Sequence, residues 1–554
     1  MAVIQKTRKS KLNNVIENKT AKIAIALLIA VSAAVITLGL FGIRYQTNDD
    51  ATLSNIMAGA YGDTLHTVYV NVLFSVMLRP LYAIAQTNWY VIVQLVLVVI
   101  SIAAIVYILL DKLGIICGTA ISLAVAIGFS QHIFYTFQYT ECSFIILSAG
   151  LLLIVDKLGQ DNKLTFVGIL LALMGSMVRW TSFYAVGGMS APLLLYKFFK
   201  LDRKGQKKAV ITMVVLFAFT FGAKIVDVAV YKTDPAWNEY TQYNAARTQY
   251  SDFKVLYLPE ENPFEEAGIS DIDYAMLNSW NFYDEARFDT ALLEELSVGH
   301  QDITFSQLII NTLKRIRKMM TGNSYHYMFL IVCLLSVMWL RPKLACLPMI
   351  GMYGMFGVLM VYLTYEMRFP EWVEFGLIWT VVVFALYCMS EVNISRKLTA
   401  GAFVVAFAAA IALSLPSYTE LYATYMNYVN WTKEEQHYFD AMSQDKENIY
   451  LLPTSSINVA AGFDVMHPRT DNFYSNIVAY GGWLSRAPHR DKALAEYGLY
   501  RPLVDAVDNP NVYLGYQNIG NTVAYVSQEL GCEVFAVKTG ENDFAPYQLF
   551  TQLP

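Results

Sequence analysis

Eleven runs of apolar residues decide what this 554-residue chain can be. They cover 23–43, 89–110, 114–130, 141–156, 164–181, 183–199, 209–231, 326–340, 344–363, 372–390 and 398–416. About 20 apolar residues cross a bilayer as a helix, since only a helix satisfies its own backbone there. Hydrophobic residues make up 56% of the chain and charged residues 15%, above the apolar share of soluble domains. The expected fold class is therefore a multi-pass α-helical membrane protein with about eleven transmembrane helices.

The charges that remain are segregated. Lys112, Lys157, Lys163, the Lys197–Lys208 cluster, Arg341, Lys343, Arg396 and Lys397 fall in alternate short loops. Cations favour the cytoplasmic side, which puts the basic N-terminus (1–22) in the cytoplasm. An odd number of spans then puts the C-terminus outside. The segment 23–416 reads as the transmembrane domain, with outer loops at 44–88 and 232–322. The stretch Val68–Ala85 is apolar enough to span, but counting it would reverse the sidedness of every later loop. It is placed as an interfacial or re-entrant helix on the outer side. Residues 417–554 mix strand-like runs (NIYLL, NVYLGY, EVFAV, YQLF) with a helix near Thr522–Leu530, which predicts a small extracytoplasmic α/β domain. Five of the six cysteines lie in or beside apolar runs and no Cys/His cluster has zinc spacing, so neither a disulfide framework nor a zinc site is expected. No internal repeat is visible, and no nucleic-acid partner is expected.

Just past the first span the chain reads RYQTNDDATLSNIM (44–57). One of Asn48, Asp49 and Asp50 is expected to cap a helix starting near Ala51. Capping accounts for one Asp and leaves the second over. Further ionisable groups stand at the outer ends of spans: His66, Arg79, His132, Glu141, Arg179, Arg368 and Glu371, with Arg247 in the long outer loop. Such groups are costly near bilayer depth and line cavities or pair with one another. Each has a plain structural reading too: Arg179 as partner of Glu141 or the NDD acids, Arg368 as an interfacial anchor, His66 and His132 as headgroup-level polar residues. Together, carboxylates and arginines suit an anionic lipid with a polar head, with arginine forking a phosphate and a carboxylate taking a proton.

The series NDDATLSNIMAGAYGD (48–63), NVLFSVMLRPLY (71–82), NW (88–89), YNAARTQYSDF (243–253), GISDIDYAMLNSWNFYDE (268–285) and GGWLSRAPH (481–489) resembles bacterial members of the GT-C superfamily, which includes protein O-mannosyltransferases and lipid A aminoarabinose transferases. The resemblance implies a glycosyltransferase of the bacterial cell membrane. Its donor would be a polyprenyl-phosphate sugar, its acceptor a cell-envelope glycan or another hydroxyl, and its site would lie at the outer face among membrane lipid. It implies that Asp49 or Asp50 is the catalytic base. Other branches carry Asp-Glu where this chain has Asn-Asp-Asp, which leaves open which Asp acts and whether a divalent metal takes part. Substrate-binding roles for His66, Arg79, His132, Glu141, Arg179, Arg247, Arg368 and Glu371 follow from placement alone. A transporter or flippase-like handler of lipid-linked glycans, or a non-catalytic scaffold, would use the same outer cavity.

Overall fold

The computed structural model describes residues 18–253, 263–297, 303–320, 322–340, 346–392, 396–453, 464–515, 519–541 and 545–553. The basic tail 1–17, Arg341 and Lys343 lie outside them. Among the described residues each apolar run lies largely within one helix: α1 (Lys19–Phe41), α4 (Trp89–Leu113), α5 (Ile115–Ser130), α6 (Tyr139–Asp156), α7 (Lys163–Val178), α8 (Trp180–Lys200), α9 (Arg203–Thr233), α14 (Ser324–Trp339), α15 (Leu347–Tyr365), α16 (Glu371–Ser390) and α17 (Arg396–Gln444). Among the described residues, eight helices have the length and apolarity to cross a membrane. Of the other three, α7 and α14 have 16 residues each, and α8 ends on Lys197 and Lys200.

Helix α6 is buried along its whole length and forms the axis of the bundle. It can lie this deep because glycine faces glycine across the crossing with α7. A Cβ on Gly150 would stand 2.7 Å from Ala172 N and from the Gly168 carbonyl, and one on Gly168 would stand 2.7 Å from the Gly150 carbonyl. Small residues let membrane helices approach to backbone contact, where dispersion and not water expulsion holds them.

The two ends of the bundle differ in chemistry. At one end lysines meet acids. Lys112 contacts Asp156 at 3.0 Å and Glu391 at 2.7 Å, Lys157 contacts Asp156 at 2.7 Å, and Lys197 contacts Glu391 at 3.6 Å. The other end carries β1 (Arg44–Tyr45), paired in parallel with β2 (Thr136–Phe137), and α2 (Asn48–Met57). It also carries α10 (Pro235–Asp252), α11 (Asp271–Asn278), α12 (Thr290–Leu296) and α13 (Phe305–Lys318).

The ambiguous stretch forms α3 (Val72–Ile84). Its 13 residues reach roughly 20 Å at 1.5 Å per residue, short of a bilayer core of about 30 Å. Asn71 N donates to the Met177 carbonyl, Val72 N to Asp227, and Asn88 N to the Met466 carbonyl. Both flanks of α3 are thus tied at the same end of the bundle, and it does not cross. Val76, Met77 and Ile84 remain exposed along it.

The tail departs from expectation at its start. Helix α17 runs through Pro416 to Gln444, so the boundary expected at 416–417 lies inside one continuous helix. A change from apolar to polar composition does not break the backbone ladder, and a single proline removes only one of its bonds. Beyond it, β3 (Ile449–Leu452), β4 (Ile477–Ala479), β5 (Val512–Leu514), β6 (Phe535–Lys538) and β7 (Tyr547–Phe550) form a sheet in the order β4-β3-β5-β7-β6. The first three strands are parallel; β7 runs antiparallel to β5 and β6. Helices α18 (Pro488–Glu496) and α19 (Ile519–Leu530) accompany the sheet. The four strand-like runs and the expected helix are all present. Strand β4, a buried run of three residues, carries no periodic signal of its own.

Gly150→Val is expected to force α6 and α7 apart and to lower stability by about 1–3 kcal/mol, as overpacking does. A lowered thermal midpoint of the purified protein in detergent is the readout; an unchanged midpoint would contradict the close crossing.

Candidate active site

The acidic pair does not cap its helix. Helix α2 begins at Asn48, with Thr47 in the N-cap position, and both aspartates sit in its first turn, where the helix dipole favours negative charge. Consecutive residues on a helix point about 100° apart, so the two carboxylates part company. Asp50 turns inward and is wholly buried. Its Oδ1 accepts from the Tyr90 hydroxyl at 3.1 Å and from Tyr139 N at 3.0 Å; Oδ2 lies 3.4 Å from the Thr47 hydroxyl. Asp49 turns toward a cavity of ≈ 640 Å³, and its Oδ1 accepts from the indole N–H of Trp483 at 2.8 Å.

Burial raises the pKa of both groups above the usual carboxylate range. For Asp49 the Trp483 bond and the Arg179 charge oppose the rise. For Asp50 the neighbouring Asp49 charge adds to it. Two adjacent carboxylates disfavour joint ionisation. Asp50, which has no cavity face and lies next to the Asp49 charge, bears that disfavour most directly.

The same cavity is lined by Arg179, Arg247 and Arg368, together with Tyr69, Tyr139, Asp252, Trp280 and Trp372. Each arginine arrives by a different local device. Arg179 is the extended residue between α7 and α8 (φ −149°, ψ 109°), so the helix break itself presents its side chain. Arg247 is 1% exposed and held on α10 by Asn244, Ser251 and Thr248. Arg368 lies in the α15–α16 turn, which Arg315 fixes from α13 by donating to the Phe369 carbonyl at 2.6 Å.

These guanidinium groups are not equivalent. Asp252 serves two of them, at 2.8 Å from Arg368 and 3.4 Å from Arg247. Arg179 pairs with no carboxylate among the described residues, neither Glu141 nor the aspartates. Its Cζ lies over the rings of Tyr69 and Tyr139, at 5.3 and 5.5 Å. Such contacts attract a cation without neutralising it. Arg179 is therefore the cation best placed to meet an incoming anion.

Backbone strain gathers at the same place. Trp280 and Met367 line the cavity with φ of 64° and 50°, and Val68, beside Tyr69, has φ 61°. Left-handed conformations of bulky residues are costly and concentrate at functional sites.

The other expected site residues lie outside this cavity. His66 stacks on Trp237 at 4.3 Å. Arg79 pairs with Asp63. His132 stands 3.9 Å from both Glu141 and Glu371, with Asn323 bridging it to Glu371 at 3.3 and 3.2 Å. Among the described residues no group of three His, Cys, Asp or Glu side chains is arranged to hold a metal. Trp483, Asp252, Tyr69 and Tyr139 were not singled out from the sequence. Trp483 and Asp252 do lie inside the motif stretches 481–489 and 243–253.

No family model matches the chain, and no curated protein does. Among solved structures it is similar to ArnT from Cupriavidus metallidurans bound to undecaprenyl phosphate, at 10% identity and a TM-score of 0.39, over 95% of this chain and 97% of that one. The apo form of the same ArnT gives 10% identity and a TM-score of 0.33, over 96% and 98%. Residue roles do not transfer at such values.

Asp50→Asn, which keeps shape and accepting oxygen, is expected to leave stability unchanged. Asp50→Ala strands the Tyr139 N–H and should cost about 1–3 kcal/mol. Thermal midpoints of the two variants decide the point; equal losses would show that the negative charge itself is required.

Proposed function

We propose that the chain is a membrane glycosyltransferase that moves a sugar from a polyprenyl-phosphate donor to a hydroxyl acceptor at the cavity end of the bundle, with Asp49 as general base. The reading joins the GT-C-like motif series to one observation: Asp49 and three arginines from distant segments line a single cavity. The cavity end is the extracytoplasmic side, opposite the lysine-rich end, as the distribution of cations favours.

The donor phosphate enters against Arg179, with Arg247 and Arg368 behind it. Asp49 accepts the proton of the acceptor hydroxyl as that oxygen bonds to the anomeric carbon. The bond from that carbon to the phosphate oxygen breaks, and its electron pair leaves with the lipid phosphate. The arginines stabilise the charge developing there, where low dielectric magnifies their effect. Inversion at the anomeric carbon follows from a single displacement. A raised pKa makes Asp49 a stronger base than an exposed carboxylate. The Trp483 indole N–H, by bonding the carboxylate, opposes the rise.

A carrier of lipid-linked glycans would use the same cavity without breaking the sugar–phosphate bond. Release of lipid phosphate from a purified polyprenyl-phosphate sugar separates the two, since a carrier releases none.

Asp49→Asn is expected to lower transfer in membranes by about 10²-fold or more, the scale of a lost general base. Normal expression with full activity would remove Asp49 from the mechanism. The rate should rise with pH through an apparent pKa above the ordinary value of about 4. In Trp483→Phe the anion loses its hydrogen bond, the pKa rises further, and the acid limb moves to higher pH. A limb that stays put or moves down would contradict the assigned role of the indole.

A further inference from the structure

A second cavity, of ≈ 310 Å³, lies among the segment 61–64, the turn 472–475 and one face of α18. It shares no lining residue with the Asp49 cavity. Its wall includes Thr64, Asn472, Ser475, Arg490 and Lys492. Arg490 is 1% exposed. Its Nη1 donates to the Ile477 carbonyl at 3.0 Å, and its Cζ lies 4.9 Å from the centre of the Tyr61 ring. Its Nε and Nη2 meet no hydrogen-bond partner, and no carboxylate pairs with it among the described residues.

A buried charge without a counter-charge is costly. The two unpartnered nitrogens also share one edge of the guanidinium, and that edge binds a carboxylate or phosphate through two parallel hydrogen bonds. Further positive charge surrounds the cavity. Lys492 is in its wall, and Lys446 reaches Ser475 Oγ at 2.8 Å and Asn476 Oδ1 at 3.0 Å. Two carboxylates also line it: Asp63, which Arg79 already engages, and Glu496. Thr64, Ser475 and Asn472 add neutral donors.

We propose that this cavity binds a phosphate-type oxyanion, held by the Arg490 guanidinium with Lys492 beside it. The link from Asp63 to Arg79 on α3, whose Val76, Met77 and Ile84 are exposed, brings the cavity next to an apolar surface. The oxyanion is the phosphate of a lipid headgroup or of a soluble phosphoester. Neither source requires sugar transfer at Asp49, so the inference stands apart from the function proposed above.

The test measures thermal unfolding of the full chain in lipid nanodiscs, in two arms. One titrates inorganic phosphate into discs of phosphatidylcholine alone; the other compares those discs with ones that also contain phosphatidylglycerol. A saturable rise in the midpoint in the first arm identifies a soluble anion, and a rise in the second identifies a headgroup. Either supports the site, provided the variants weaken it. Arg490→Met is expected to keep the fold, because replacing an uncompensated buried charge by an apolar side chain is tolerated, and to lose the response. Lys492→Gln, an exposed change on α18, should raise the half-saturating phosphate concentration or lipid fraction about fivefold, the scale of one charge-assisted contact. No response in either arm overturns the proposal, and so does a response that Lys492→Gln leaves unchanged. The Lys492 variant keeps the test decisive even where Arg490→Met fails to fold.

Discussion

Among the hydrogen bonds that tie the sheet-bearing tail to the loop after the first span, the one from the Trp483 indole to Asp49 falls at the cavity itself. It does three things together. It holds the carboxylate at the cavity wall, it restrains the rise in pKa that burial imposes, and it closes the cavity with a residue more than four hundred positions away. Without such a donor the desolvation of the carboxylate would raise its pKa further. The site therefore depends on the tail being docked as well as on the bundle.

The bundle in turn sets how firmly that carboxylate is carried. Helix α2 hangs between α1 and the segments that follow it, and Asp50 anchors it inward through Tyr90 and the Tyr139 backbone N–H at the start of α6. Helix α6 is itself locked by the glycine crossing with α7. Asp50 thus acts through position: it fixes the turn on which Asp49 sits. The strained backbones of Trp280 and Met367 in the cavity wall fit the same pattern, in which surrounding packing sustains a local cost.

Much of this was legible in the residues because it follows from local chemistry. A long run of apolar side chains favours a helix, and among the described residues each expected span is helical over most of its length. The strand runs of the tail and the helix near residue 522 show the same locality. The cation pattern of short loops placed Lys112, Lys157 and Lys197 at one end, where they do meet Asp156 and Glu391. Less legible were features that depend on what happens next to a segment. Helix α17 runs past Pro416 because nothing in the following polar sequence stops it, and α2 starts earlier than expected because Thr47, not an acidic residue, takes the cap position.

By itself the sequence determined that the chain would bury helices in a membrane and carry an acidic pair after the first of them, since both follow from composition and order along the chain. Tertiary structure alone decided which aspartate faces the cavity, which arginine lacks a carboxylate, and that Asp252 and Trp483 belong to the same site as Asp49. The physical reason is that burial and pairing are properties of neighbours in space. Residues 49, 179, 247, 368 and 483 become neighbours only once the helices have packed.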